Sequence, residues 1–314
     1  MSEGAAAAAM RAVAGARVTT LDTRRKLQLV LGALWLLDGL LQYQPAMFSR
    51  AFPQMLADAA TGNPRPVAAP ITWSAAFIDH HLTISNGAFA TIQIALGLAI
   101  AFRPTVKLGL AASVLWSCGV WWLGEGLGGI LAGAASPLNG APGAVILYAL
   151  LAILLWPADR DEMAPFIAGR AVGRHAARAA WLAMWGSMAA FALLPSSRAP
   201  HGMSTILTTM AQGQPAWLAW IDTHAANTLG AHGLAASIVL AILLIAVAVG
   251  IYLPDRSTKP AIAAAIALAV VIWLAEGIGG IFTGAGTDPN SGPLLGLLAL
   301  AYWPVSRMPN EGTQ

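Results

Sequence analysis

Apolar residues run almost unbroken through eight stretches of this chain, about 26–44, 83–102, 108–130, 142–157, 177–195, 228–253, 260–283 and 291–306. Charged, glycine-rich or proline-rich segments separate them. A helix rises ~1.5 Å per residue, so ~20 apolar residues cross a hydrocarbon core of ~30 Å. The pattern predicts an all-α, polytopic membrane protein with eight transmembrane helices.

The basic residues add an orientation. If the N-terminus is inside, the inner segments hold Arg11, Arg17, Arg24, Arg25, Lys26, Arg103, Lys107, Arg160, Arg170, Arg174, Arg178, Arg256, Lys259 and Arg307. Only Arg50, Arg65 and Arg198 fall outside. Such asymmetry is what the positive-inside rule asks of an even number of spans, and it places both termini in the cytoplasm of a cell (inner or plasma) membrane. Charged residues are 10% of the chain, against about a quarter in soluble domains. The net charge of +3 follows from topology, so the lipid bilayer is the expected partner and nucleic acid is not. Cys118, the single cysteine, excludes an intrachain disulfide and a thiolate cluster.

Internal repetition organises the chain. WLGEGLGG (122–129) returns as WLAEGIGG (273–280), and over 122–142 against 273–293 the offset of 151 preserves 11 of 21 residues. That density over a gapless register identifies a duplication. ITWSAAFIDHH (71–81) is echoed by PAWLAWIDTH (215–224). With four spans each, the copies keep one orientation and form two parallel four-helix repeats. The expected organisation is a flexible inner tail (1–25), repeat 1 (26–157), an inner linker (158–176), repeat 2 (177–306) and an inner tail (307–314). The copies differ in the first span, where MWGSMAAFALLP (184–195) lacks the counterparts of Asp38, Gln42 and Gln44. One working site, or two unequal ones, is expected.

Ionisable residues inside apolar spans are expensive and mark functional sites by default. Glu125 and Glu276 are candidate proton carriers near the outer surface, and Asp38, with Gln42 one turn on, would extend a polar track inward. The competing reading of the glutamates is structural, a carboxyl bonded to a neighbouring helix and kept from an ancestral dimer. The glycines beside them point to close packing or a broken helix. Asp79, His80, His81, Asp222 and His224 lie at the outer boundary as candidate substrate- or partner-binding groups, alongside Trp122. The sequence places Cys118, Trp122 and Glu125 on one helical face. No ligand spacing supports a metal, so His80, His224 and Glu125 are only weak candidates for one, and haem or copper finds no specific motif.

Repeat 1, through LGALWLLDGLLQYQPAMF (31–48) and IQIALGLAIAFRPTVKLG (92–109), resembles the DoxX/DoxD group of four-span membrane proteins. It departs from that group's pattern at Gln93 and in the EGxGG stretch. The resemblance implies a redox- or quinone-linked membrane subunit working with a membrane redox partner. Two other functions fit the same residues: an ion or small-solute transporter or channel using the buried glutamates, and a structural or assembly subunit of a larger membrane complex.

Overall fold

The computed structural model describes residues 3–253 and 255–305, with side chains at 22–253 and 258–305. The side chains of Arg11, Arg17 and Arg256, together with Arg307 and the tail 307–314, lie outside the described residues. Among the described residues the structure is all-helical, and four helices are long and apolar enough to cross a membrane: Leu82–Ala101, Arg103–Leu123, Gly233–Gly250 and Thr258–Ala275.

The first half comprises α1 (Glu3–Leu41), α2 (Ala51–Asp58), α3 (Arg65–His80), α4 (Leu82–Ala101), α5 (Val106–Leu123) and α6 (Ala144–Leu154). After α7 (Ile167–Val172) come α8 (Arg174–Ala192), α9 (Pro195–Arg198), α10 (Gly202–Met210), α11 (Ala216–Leu229), α12 (Gly233–Gly250), α13 (Asp255–Ala275) and α14 (Ser291–Ala301). Residues 3–25, expected as a tail, are part of helix α1. The segment 158–176, expected as a linker, contains α7, whose Ile167 and Ala168 are fully buried, and Phe166 stacks on Tyr302 at 5.2 Å.

Four helices are shorter than the apolar pattern, and the early ends of α5 and α13 have a local cause. Helices α5 and α13 stop at Leu123 and Ala275, well short of 130 and 283, because the residues after each glutamate turn left-handed. Helices α6 and α14 have 11 residues each, about 16 Å of helix. Finally, α14 begins four residues earlier than α6 does relative to the 151 offset.

The helices pack through small residues. A Cβ on Gly32 would meet the Gly97 carbonyl at 3.0 Å, so α1 and α4 approach backbone to backbone. One continuous core joins the halves, with Trp35 against Tyr148 at 4.1 Å and Trp181 against Tyr302 at 4.7 Å. Basic residues gather at one end. Buried Arg24 pairs with Asp159 at 2.5 Å, and Arg25 donates to the carbonyls of Ile100 and Ala101, closing the C-terminus of α4.

Candidate functional site

The opposite end carries the two glycine turns. Gly126, Leu127, Gly128 and Gly129 have φ of 55, 57, 65 and 68°, and Gly277, Ile278, Gly279 and Gly280 have 59, 53, 66 and 64°. Four successive left-handed residues cost an L-amino acid ~1–2 kcal/mol each, which is why three of the four are glycine. Space imposes the same choice at Gly128 and Gly279, where a Cβ would run into the backbone of Pro142 and of Asp288–Pro289. An amide clamps the first carbonyl of each turn: Asn63 Nδ2 donates to Gly126 O at 3.4 Å and Gln214 Nε2 to Gly277 O at 3.0 Å. An indole holds the segment that follows, Trp121 Nε1 donating to Pro142 O at 2.6 Å and Trp273 Nε1 to Pro289 O at 2.7 Å. The role of Trp273 thus falls to Trp121, although the repeat aligns Trp273 with Trp122.

Within this shared frame the glutamates differ. Glu276 is 2% exposed and fully engaged: Ser291 Oγ donates to one oxygen and Gly292 N to the other at 3.3 Å. Glu125 accepts from Val145 N at 3.0 Å on Oε1, while Oε2 is buried with no partner.

Oε2 of Glu125 is unpartnered where two cavities meet. A polar vestibule of about 410 Å³ lies between the two glycine turns and includes Asn139, Thr283, Asp288 and Asn290 in its walls. A second cavity of about 280 Å³ lies inside the first half, walled by aromatic and aliphatic side chains including Trp35, Phe52, Phe89 and Trp116. Met55, Glu125, Thr287 and Asp288 belong to both. Asp38, 2% exposed, faces the inner cavity, close enough to Glu125 and Asp288 for their charges to interact, and the Tyr148 hydroxyl stands beside it. Four buried polar atoms on this cavity's walls lack a hydrogen bond: Asp38 Oδ1, Gln93 Oε1, Trp116 Nε1 and Glu125 Oε2. Interiors seldom leave such atoms unpaired, because each costs ~1–3 kcal/mol. Their four residues line one space, which makes it the candidate site.

In the second half apolar residues stand at the matching positions. Matching Trp35 with Trp185 puts Met188 in place of Asp38 and Ala192 in place of Gln42, while Leu244 replaces Gln93 and Leu295 replaces Tyr148. All four substitutes are fully buried.

Of the residues singled out from the sequence, Asp38, Gln42 and Glu125 are brought together, with Gln42 Nε2 donating to Asn86 Oδ1 at 2.5 Å and Asn86 Nδ2 to Gln42 O at 2.9 Å. Glu276 has the bonded, structural surroundings just described. Asp79, His80, His81 and His224 are exposed and line neither cavity, with His81 against Phe77 at 4.8 Å and His224 stacked on Trp220 at 5.2 Å. Neither Asp79 nor His80 therefore joins Glu125. Among the described residues no group of three or more His, Cys, Asp or Glu is arranged to hold a metal, so His80, His224 and Glu125 do not constitute one. Trp122 is 43% exposed and Cys118 is exposed, because α5 ends before Glu125 and the turn carries the acid away from their face. The echo of Asp79 in Asp222 also fails structurally. Helices α3 and α11 start at equivalent prolines, Pro64 and Pro215, so Asp222 lies in the second turn and Asp79 in the last. Asp222 is 1% exposed with Oδ2 unpartnered, and burial raises its carboxyl to about 6.

Tyr148, Trp116 and Asp288 went unrecognised in the sequence, and Gln93 stood out only as a departure from a family pattern. Asp288 had a visible signal, an acid in the turn facing Glu125's repeat. No protein-family model, curated protein or solved structure matches the chain.

Proposed function

We propose that the chain is an eight-span membrane protein of two parallel four-helix repeats, with both termini cytoplasmic and the glycine turns at the outer surface. In this reading α3 and α11 lie along that surface without spanning it. The first repeat alone keeps a ligand site, which binds a small ring compound of the quinone class and exchanges protons with the outside through Glu125. The observation that carries this is the set of unpaired polar atoms on an aromatic cavity that meets the vestibule at one carboxyl.

The chemistry of the walls fits such a ligand. Quinone carbonyls accept hydrogen bonds, and Trp116 Nε1 is an unpaired donor; quinol hydroxyls donate, and Gln93 Oε1 and Asp38 Oδ1 are unpaired acceptors. Aromatic faces at Trp35, Phe52 and Phe89 suit a flat ring. A bound quinol would donate its hydroxyl hydrogens to Asp38 Oδ1 and Gln93 Oε1, and Glu125, which lines both cavities, joins that space to the vestibule for proton exchange. The test is saturable binding of decylubiquinone to the protein in nanodiscs, followed by quenching of tryptophan fluorescence. Trp116→Phe, which removes the unpaired donor to a quinone carbonyl, should weaken it about tenfold, the ~1.4 kcal/mol of one lost buried hydrogen bond. Absence of saturable binding, or wild-type affinity in Trp116→Phe, would refute the proposal.

One observation favours a second reading, cation transport. Asp38, Glu125 and Asp288 line the cavities and no Lys, Arg or His does, an arrangement that a bound cation would stabilise. Cation flux into proteoliposomes that disappears in Glu125→Gln, without quinone binding, would establish it instead.

A further inference from the structure

The wall of the inner cavity is incomplete on one side. Leu115 and Gly119 on α5 both line the cavity, yet Leu115 is 76% exposed and Gly119 is exposed too. They are four residues apart and share a helical face. Phe89 and Gln93 on α4 and Ser74 and Ile78 on α3 form the remaining rim. A glycine within a helix costs ~1 kcal/mol relative to alanine, and neither usual reason for it applies here. The backbone of Gly119 is not left-handed, and no atom lies within 4 Å of where its Cβ would stand. What Gly119 provides is a notch. In the second half, where Met188, Ala192 and Leu244 replace Asp38, Gln42 and Gln93, the same position is Val270. The notch lies within an apolar segment long enough to cross a membrane, about 18 Å along the helix from Lys107.

We infer that the inner cavity opens sideways into the lipid beside Gly119, so that its ligand arrives dissolved in the membrane while water and protons reach Glu125 from the glycine-turn vestibule. This rests on the reading of the cavity as a ligand site and adds the route of access. The two entrances differ in chemistry: apolar side chains and a bare helix backbone on one side, and Asn139, Thr283, Thr287 and Asn290 on the other. A water-soluble solute would meet the second, and a lipid-borne ring compound the first. Gly119 then sets the width of the ligand that can pass.

Carbodiimides test this without a known ligand, because they label protonated carboxyl groups covalently and can be chosen by solubility. The full chain in nanodiscs is treated with dicyclohexylcarbodiimide, which partitions into lipid, or with a water-soluble carbodiimide, and labelling is read by peptide mass spectrometry. The lipid-soluble reagent should modify Asp38. Gly119→Trp, which fills the notch, should reduce that labelling to the background seen without reagent, whereas Gly119→Ala should not. The water-soluble reagent should modify Glu125 equally in wild type and Gly119→Trp. Should Gly119→Trp fail to fold, Leu115→Trp, one turn away at an exposed position, gives the same readout. The inference is overturned if Asp38 is unlabelled by the lipid-soluble reagent, is labelled faster from water, or is labelled at the same rate with the notch filled. The expected labelling pattern combined with no decylubiquinone binding would remove the ligand class and leave the lateral entrance standing.

Discussion

Alanine at either repeated glutamate removes the same side chain from the same turn, yet the two substitutions should differ in cost. Glu276→Ala strands two buried donors, Ser291 Oγ and Gly292 N, and opens a void at a residue 2% exposed. Each stranded donor costs ~1–3 kcal/mol, and the hydroxyl can partly recover by rotating, so the expected loss is about 2–4 kcal/mol. Glu125→Ala strands Val145 N alone, a first-turn amide of α6, and at the same time removes the unpaired Oε2. These terms oppose each other, each ~1–3 kcal/mol, and the net loss should be about 1 kcal/mol or less. The assay is reversible unfolding of the purified protein in mixed micelles, followed by helical circular dichroism, with both variants read against wild type. Equal losses, or a larger loss at Glu125, would refute the division into one engaged and one available carboxyl.

Other expectations follow from single contacts. Gly128→Ala should destabilise by about 3 kcal/mol or more, combining left-handed φ with collision at Pro142, whereas Gly133→Ala, left-handed but in open space, should cost about 1 kcal/mol; thermal unfolding separates them. At the basic end Asp159→Ala should cost about 3 kcal/mol, because it leaves Arg24 buried without its partner, and Arg24→Ala about 1 kcal/mol, because Asp159 is partly solvated; the same unfolding assay reads the order. Asp222 binds its proton more tightly folded than unfolded, since burial lifts its carboxyl to about 6. Its stabilising contribution is therefore complete below the ordinary aspartate range and is lost as pH rises through about 6. Asp222→Asn should flatten the stability profile between pH ~4 and ~7, and an unchanged slope would dismiss this account.

The glycine turns were legible because they rest on residue identity at fixed spacing. A repeated Glu-Gly-x-Gly-Gly cannot continue a helix for long, and its left-handed run is the structural form of that spacing. The helix ends were less legible. Hydropathy continues through Leu127, Ile130 and Ile281, so it cannot register that the backbone has reversed hand. The position of Glu125 beside Asp38 was accessible through the fall in polarity from the first repeat to the second. The orphaned indole of Trp116 and the hydroxyl of Tyr148 were not, since each is one amphipathic ring in an apolar run, and only packing decides whether its polar atom finds a partner. The histidines misled for the opposite reason. They lie at the ends of apolar runs, as the acids do, but His80, His81 and His224 are exposed.

The central claim is that one repeat holds the site and the other has been packed shut. The most direct measurement is the number of decylubiquinone molecules bound per chain in nanodiscs, in wild type, in Glu276→Gln, and in a variant carrying second-half residues in the first (Asp38→Met, Gln93→Leu and Gly119→Val). One equivalent in wild type and in Glu276→Gln, with none in the triple variant, is the predicted result. Two equivalents in wild type, or binding that survives the triple variant and vanishes in Glu276→Gln, would contradict it.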